Sequence, residues 1–87
     1  MKKIYNHTHT RVEYYNDKNQ LHREDGPAIE YDNGDFMYFI NGNLHRTDGP
    51  AMKMNNNETY IVNGRFINKN QYNKIMLNKK INRLLKF

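Results

Sequence analysis

Leu21-His22-Arg23-Glu24-Asp25-Gly26-Pro27-Ala28 returns 23 residues later as Leu44-His45-Arg46-Thr47-Asp48-Gly49-Pro50-Ala51, with a single position changed. The match extends beyond the phrase. Tyr38-Phe39-Ile40-Asn41-Gly42 is answered, 22 residues on, by Tyr60-Ile61-Val62-Asn63-Gly64, so the second copy is one residue shorter between the two segments. A period of this size marks a supersecondary unit that cannot bury its apolar face alone and stacks on a neighbour.

Working outward, short runs of aromatic and β-branched residues alternate with turn signals. They predict strands near 10–16, 27–32, 35–41, 51–55 and 58–63, with strand-like pieces at 20–22, 43–45 and 65–67. Asp32-Asn33-Gly34-Asp35 and Asn55-Asn56-Asn57-Glu58 read as tight hairpin turns, as do Asn41-Gly42 and Asn63-Gly64, because Asn and Gly tolerate positive φ. Period two places Ile29 and Tyr31 with Met52 and Met54 on one face, and Glu30 and Lys53 on the other as a candidate pair. Tyr38 and Ile40 match Tyr60 and Val62. Phe39 and Ile61 face oppositely, so that side also needs a cover. The expected fold is mainly β: an antiparallel meander of two ~23-residue hairpin repeats with a C-terminal helix, an α+β domain.

The 87 residues form one expected domain. Residues 1–17 supply an N-terminal capping strand, 18–67 the two repeats and 68–87 a basic helix. A chain of this length buries only about 60% of its unfolded surface, so its core is thin. Cysteine is absent, which removes disulfides and thiolate chemistry and suits a reducing compartment. The opening Met1-Lys2-Lys3-Ile4 is followed by polar residues rather than an apolar stretch, so no export signal is expected. The longest apolar run, Phe36 to Ile40, is far below the roughly 20 residues of a membrane span. A cytoplasmic location follows as the expectation, with no membrane partner. The many Asn, Lys, Ile and Tyr residues fit an AT-rich genome.

In the phrase itself, Asp accepts local backbone hydrogen bonds, Gly is expected to supply an unusual φ/ψ, and Pro starts the next strand without needing an N–H. Leu21 and Leu44 anchor the turn. Arg23 with Asp25, and Arg46 with Asp48, stand two apart and can bridge locally. Two readings of His22, Arg23, His45 and Arg46 follow. Either they shape the turn, or they form a row that binds a phosphate-bearing ligand through bidentate arginine contacts.

Charge is unevenly placed. Residues 65–87 hold Arg65, Lys69, Lys74, Lys79, Lys80, Arg83 and Lys86 with no acid, whereas residues 1–64 hold seven bases against nine acids. A basic tail on a near-neutral body points to an acidic partner, whether protein, nucleic acid or membrane surface. Asn68 is placed to N-cap a helix over about 69–86. At 100° per residue, Tyr72, Ile75 and Met76 cluster, while Leu77, Ile81, Leu84 and Leu85 lie almost opposite. Either the helix breaks near Asn78, or its first group caps the sheet while the second faces a partner. The second, with Lys79, Lys80, Arg83 and Lys86, is expected to meet a second subunit or a target, with direct nucleic-acid contact as one form of it.

The phrase, with the Asn-Gly step that follows it, resembles the N-G-x-x-H-R-x-D-G-P-A repeat of small proteins from tailed bacteriophages and some large DNA viruses. The resemblance covers roughly residues 18–75 and includes Asn63-Gly64-Arg65-Phe66-Ile67 before the helical tail. The repeat has the length of MORN repeats without their Tyr-x-Gly pattern. Relatives commonly carry Trp in the returning strand, where this chain has Tyr38 and Tyr60. The resemblance implies a viral context and a hairpin fold, with neither an enzymatic activity nor a set ligand.

Catalytic chemistry has little to stand on. Serine is absent, and no nucleophile–base arrangement is visible, so no enzyme is expected. His7-Thr8-His9 puts two imidazoles on one face of a strand, half of a metal site that nothing nearby completes; the alternative is a solvated N-terminal strand. No cofactor or metal is implied. The leading expectation is a non-enzymatic phage or mobile-element protein that binds and inhibits a host macromolecular complex in the host cytoplasm, as anti-CRISPR and other counter-defence inhibitors do, and that is open to homodimer formation. The alternatives are a binder sequestering a nucleotide signal through His22, Arg23, His45 and Arg46, and a structural or assembly module.

Overall fold

In the computed structural model, described for residues 1–85 and for side chains through residue 78, nine strands precede one helix. They are β1 (Lys2–Tyr5), β2 (Arg11–Tyr15), β3 (Ile29–Tyr31), β4 (Phe36–Met37), β5 (Phe39–Ile40), β6 (Asn43–Leu44), β7 (Met52–Met54), β8 (Asn57–Val62) and β9 (Arg65–Ile67), then α1 (Lys69–Leu85). Seven strands form an antiparallel meander in the order β1-β2-β3-β4-β7-β8-β9, and β5-β6 make a separate two-stranded ribbon.

The turns follow from side chains that accept the left-handed region. Asn41 (φ 48°) with Gly42 (φ 83°), Asn55 (52°) with Asn56 (69°), and Asn63 (51°) with Gly64 (78°) each place two consecutive residues at positive φ. That is the two-residue turn whose twist matches a hairpin. The turn at Asn55-Asn56 is therefore tighter than the sequence suggests, because Asn57 already pairs with Met54.

Several expectations change. The strand expected at 35–41 is interrupted at Tyr38: Phe36 and Met37 pair with β3 and β7, whereas Phe39 and Ile40 pair with β6. The chain leaves one partner for another at that residue. Residues 1–17 are two strands rather than one, and His7 to Thr10 form the turn between them, with His9 at φ 59°. The two imidazoles do not share a strand face, because Asn6 closes this turn by accepting from the Arg11 N–H at 2.9 Å and donating to Thr10 at 2.9 Å.

The core is thin. Tyr14, Ala28, Ile29, Ala51 and Ile61 are its buried apolar members, and Ile61 is the largest side chain buried completely. A radius of gyration of 14.6 Å exceeds the roughly 12 Å of a compact chain of this length, as a long sheet requires. Asp35, buried at 7% exposure, ties the first repeat to the second by accepting the Asn55 N–H with both carboxylate oxygens at 3.3 Å.

Candidate functional site

The register sets out one face of the sheet. Val12, Glu30, Phe36, Lys53 and Glu58 are successive partners across β2, β3, β4, β7 and β8. Two residues further along each strand stand Tyr14, Ala28, Tyr38, Ala51 and Tyr60. These share the face by strand alternation, and the edge-on contact of Phe36 with Tyr38 (5.5 Å between centroids) fits that placement. The fully buried alanines leave room between the tyrosines.

Each tyrosine carries a cation. The Arg23 guanidinium lies 4.1 Å from the centre of Tyr14 and that of Arg46 lies 4.1 Å from the centre of Tyr38. Their hydrogen bonds repeat as well. Arg23 Nε donates to Asp25 at 2.9 Å and its Nη1 to the Pro27 carbonyl at 3.2 Å; Arg46 Nε donates to Asp48 at 2.8 Å and its Nη1 to the Pro50 carbonyl at 3.1 Å. The local Arg–Asp bridges expected from the sequence are present.

The glycines complete the arrangement for a reason other than the one expected. Neither Gly26 nor Gly49 has a positive φ. A Cβ on Gly26 would stand 3.0 Å from Arg23 Cζ, and one on Gly49 only 2.6 Å from Arg46 Cζ. Glycine is needed here because a guanidinium occupies the space. Each arginine is thus held between a tyrosine ring and a glycine, closing its own turn.

The histidines are also engaged. His22 N–H donates to the Tyr14 carbonyl at 2.9 Å and His45 N–H to that of Tyr38 at 3.0 Å. His22 Nδ1 accepts the Asn41 N–H at 2.9 Å, and His45 Nδ1 accepts the Asn63 N–H at 3.0 Å. Each imidazole therefore fastens the Asn-Gly turn of the following hairpin, and each is held with Nδ1 as the acceptor and the proton on Nε2. All four residues of the candidate ligand row, His22, Arg23, His45 and Arg46, line or flank the repeat junction. An open cleft of about 430 Å³ runs between the two phrases, lined in part by Arg23, Asp25, Tyr38, His45, Arg46 and Asp48.

The two arginines differ in their carboxylate partners. Arg23 Nη1 also pairs with Glu30, so two carboxylates face this guanidinium. Burial works against its charge, and the bonds to Asp25 and Glu30 outweigh that, raising its pKa. The candidate pair of Glu30 with Lys53 does not form, because Phe36 stands between them in the register and Glu30 is held by Arg23.

At the third tyrosine the helix takes over. Lys69 Nζ lies 5.2 Å from the Tyr60 ring centre and donates to its hydroxyl at 3.1 Å, a bond that raises the Lys69 pKa. Tyr72 packs on Tyr60 at 4.4 Å. Asn68 caps the helix as expected: its Oδ1 accepts the Gln71 N–H at 2.8 Å, and Gln71 Oε1 accepts the Asn68 N–H at 2.9 Å. Tyr72, Ile75 and Met76 are half-buried, whereas Leu77 is 55% exposed. Of the expected partner-binding residues, Lys79, Lys80, Ile81, Arg83, Leu84, Leu85 and Lys86 lie outside the residues whose side chains are described.

Sequence reasoning overlooked Tyr14 as the first member of the tyrosine series. The signal was there, in a tyrosine a few residues upstream of each phrase, but the turn at Asn16–Gln20 is longer than Asn41-Gly42 and puts the two out of step.

The chain matches no family model, no curated protein and no solved structure. Among the described residues, no helix is long and apolar enough to cross a membrane, and no group of three or more His, Asp or Glu side chains is placed to hold a metal ion.

Proposed function

We propose that this chain is a non-enzymatic protein of a phage or mobile element that binds a host macromolecular complex and inhibits it. The observation that carries the reading is the two-sidedness of α1. Tyr72 docks on Tyr60, while Leu77 stays exposed in a segment where residues 65–87 hold seven bases and no acid. A large apolar side chain left beside uncompensated positive charge suits a partner with an acidic, partly apolar surface. The internal bonds of His22, Arg23, His45 and Arg46 support the same reading, since they give these residues a role in shaping the turns. The counter-defence role rests on the resemblance of the repeat to those of viral proteins.

The test compares the full chain with a version ending at Asn78, both shown folded by circular dichroism. The full chain should capture a host complex and reduce its activity when the components are reconstituted, and the shortened chain should do neither. Equal capture and inhibition by the two would refute the role given to the tail. Light scattering of the same pair checks self-association: a larger mass for the full chain alone would assign the tail to a homodimer. The second reading, a nucleotide held between the phrases, is favoured by the cleft that Arg23 and Arg46 line. It requires that nucleotide binding survive loss of the tail.

A further inference from the structure

We propose that the second repeat carries an oxyanion-binding site between Arg46 and Lys53, which takes a carboxylate or phosphate group where the first repeat supplies its own carboxylate, Glu30. The inference rests on comparing the repeats and is independent of the reading of the tail. Glu30 follows Arg23 by seven residues, and Lys53 follows Arg46 by the same interval. Both occupy the same row of the sheet, with Phe36 as their shared register partner.

The two arginines are otherwise alike. Their side chains are 20% and 21% exposed, each is stacked 4.1 Å from a tyrosine centre, and each donates through Nη1 to the carbonyl of the phrase proline. In the first repeat, Nη1 gives a further bond to Glu30. In the second, Asp48 is the carboxylate paired with Arg46 among the described residues, and a lysine stands where the second carboxylate would be. The largely buried Arg46 guanidinium therefore lacks the second carboxylate that its counterpart has, and an anion would supply it.

The surrounding charges set limits on the ligand. Asp48 occupies Nε, and Glu58, the register neighbour of Lys53 on β8, stands on the side away from Arg46. The anion therefore approaches the Nη edge of Arg46, over the Phe36–Tyr38 pair. A single oxyanion of carboxylate or phosphate size fits this demand, just as Glu30 meets it in the first repeat.

The experiment is a nuclear magnetic resonance titration of the full chain with inorganic phosphate in one arm and acetate in the other, at constant ionic strength to hold screening fixed. Saturable shifts of the Arg46 Nε–H, with that of Arg23 unmoved, are expected in at least one arm, and the responding arm identifies the group. Lys53→Glu should supply an internal carboxylate, raise the urea midpoint and weaken the response at least about tenfold through like-charge repulsion. Glu30→Lys should create a second responding site at Arg23, and circular dichroism would show that this variant keeps the fold already tolerated in the second repeat. No saturable shift at Arg46 in either arm, equal shifts at both arginines, or undiminished binding by Lys53→Glu would overturn the proposal.

Discussion

Replacing Gly49 by alanine should cost about 2 kcal/mol of folding stability, and the cost should disappear once Arg46 is removed. An alanine Cβ would stand 2.6 Å from Arg46 Cζ and 2.9 Å from both terminal nitrogens. A flexible side chain would ordinarily move aside cheaply. Here the Tyr38 ring blocks retreat on the other side, so the guanidinium has to leave its place. That forfeits a cation–π contact of about 1 kcal/mol, a bond to the Pro50 carbonyl of about 1 kcal/mol, and an Asp48 bridge of about 0.5 kcal/mol, discounted because Asp48 is 72% exposed. Alanine returns about 0.5 kcal/mol by restricting the unfolded chain, since the backbone at Gly49 is one alanine can adopt. Urea denaturation followed by circular dichroism measures the change, against a total of roughly 4–13 kcal/mol for a domain of this length. The decisive comparison is Gly49→Ala in an Arg46→Ala background, where the substitution should be neutral or slightly stabilising. An undiminished cost there would show that the backbone, and not the guanidinium, demands glycine.

Other outcomes can be read with the same apparatus. His45→Ala should cost about 1 kcal/mol by removing the acceptor of the Asn63 N–H, and His45→Asn, which restores an acceptor, should recover part of it. Asn68→Ala should lower stability by about 1 kcal/mol and reduce helical signal, because the Gln71 N–H loses its acceptor, Asn68 Oδ1. Tyr15 donates to Glu13 at 2.9 Å, and this bond lifts its phenol above the ordinary 10.0. The folded state thus favours the protonated phenol: its contribution is whole below about pH 10 and is lost as pH rises through the folded value, so Tyr15→Phe should remove that alkaline loss from a stability–pH profile.

The repeat, its turns and the capped helix were legible in the sequence because each is encoded locally. Asn-Gly pairs fix hairpin positions through φ alone, and Asn68 with Gln71 announces a helix start within four residues. The tyrosine–arginine–glycine stack was not legible, because the tyrosine stands before the phrase that holds the arginine and glycine, and only the folding of that phrase back against it brings Tyr14 to Arg23. The interruption at Tyr38 escaped for a similar reason: the aromatic run from Phe36 to Ile40 is continuous in hydropathy, and the exchange of strand partners depends on tertiary pairing. The candidate His–Arg row was visible as residues, while the bonds that occupy it were not. His22 and His45 take their acceptor roles from turns 19 and 18 residues away.

The way each tyrosine is closed by a cation has a consequence for the dimensions of such proteins. Tyr14 and Tyr38 are each covered by the arginine of the phrase that follows, and Lys69 and Tyr72 do the same for Tyr60 at the end of the array. The junction that receives the helix is therefore the junction that would receive another copy. A further copy would insert two strands and carry α1 about 9.5 Å along the sheet, with no new design at either end. The number of phrases would then act as a ruler, setting in fixed steps how far the basic helix stands from the N-terminal edge.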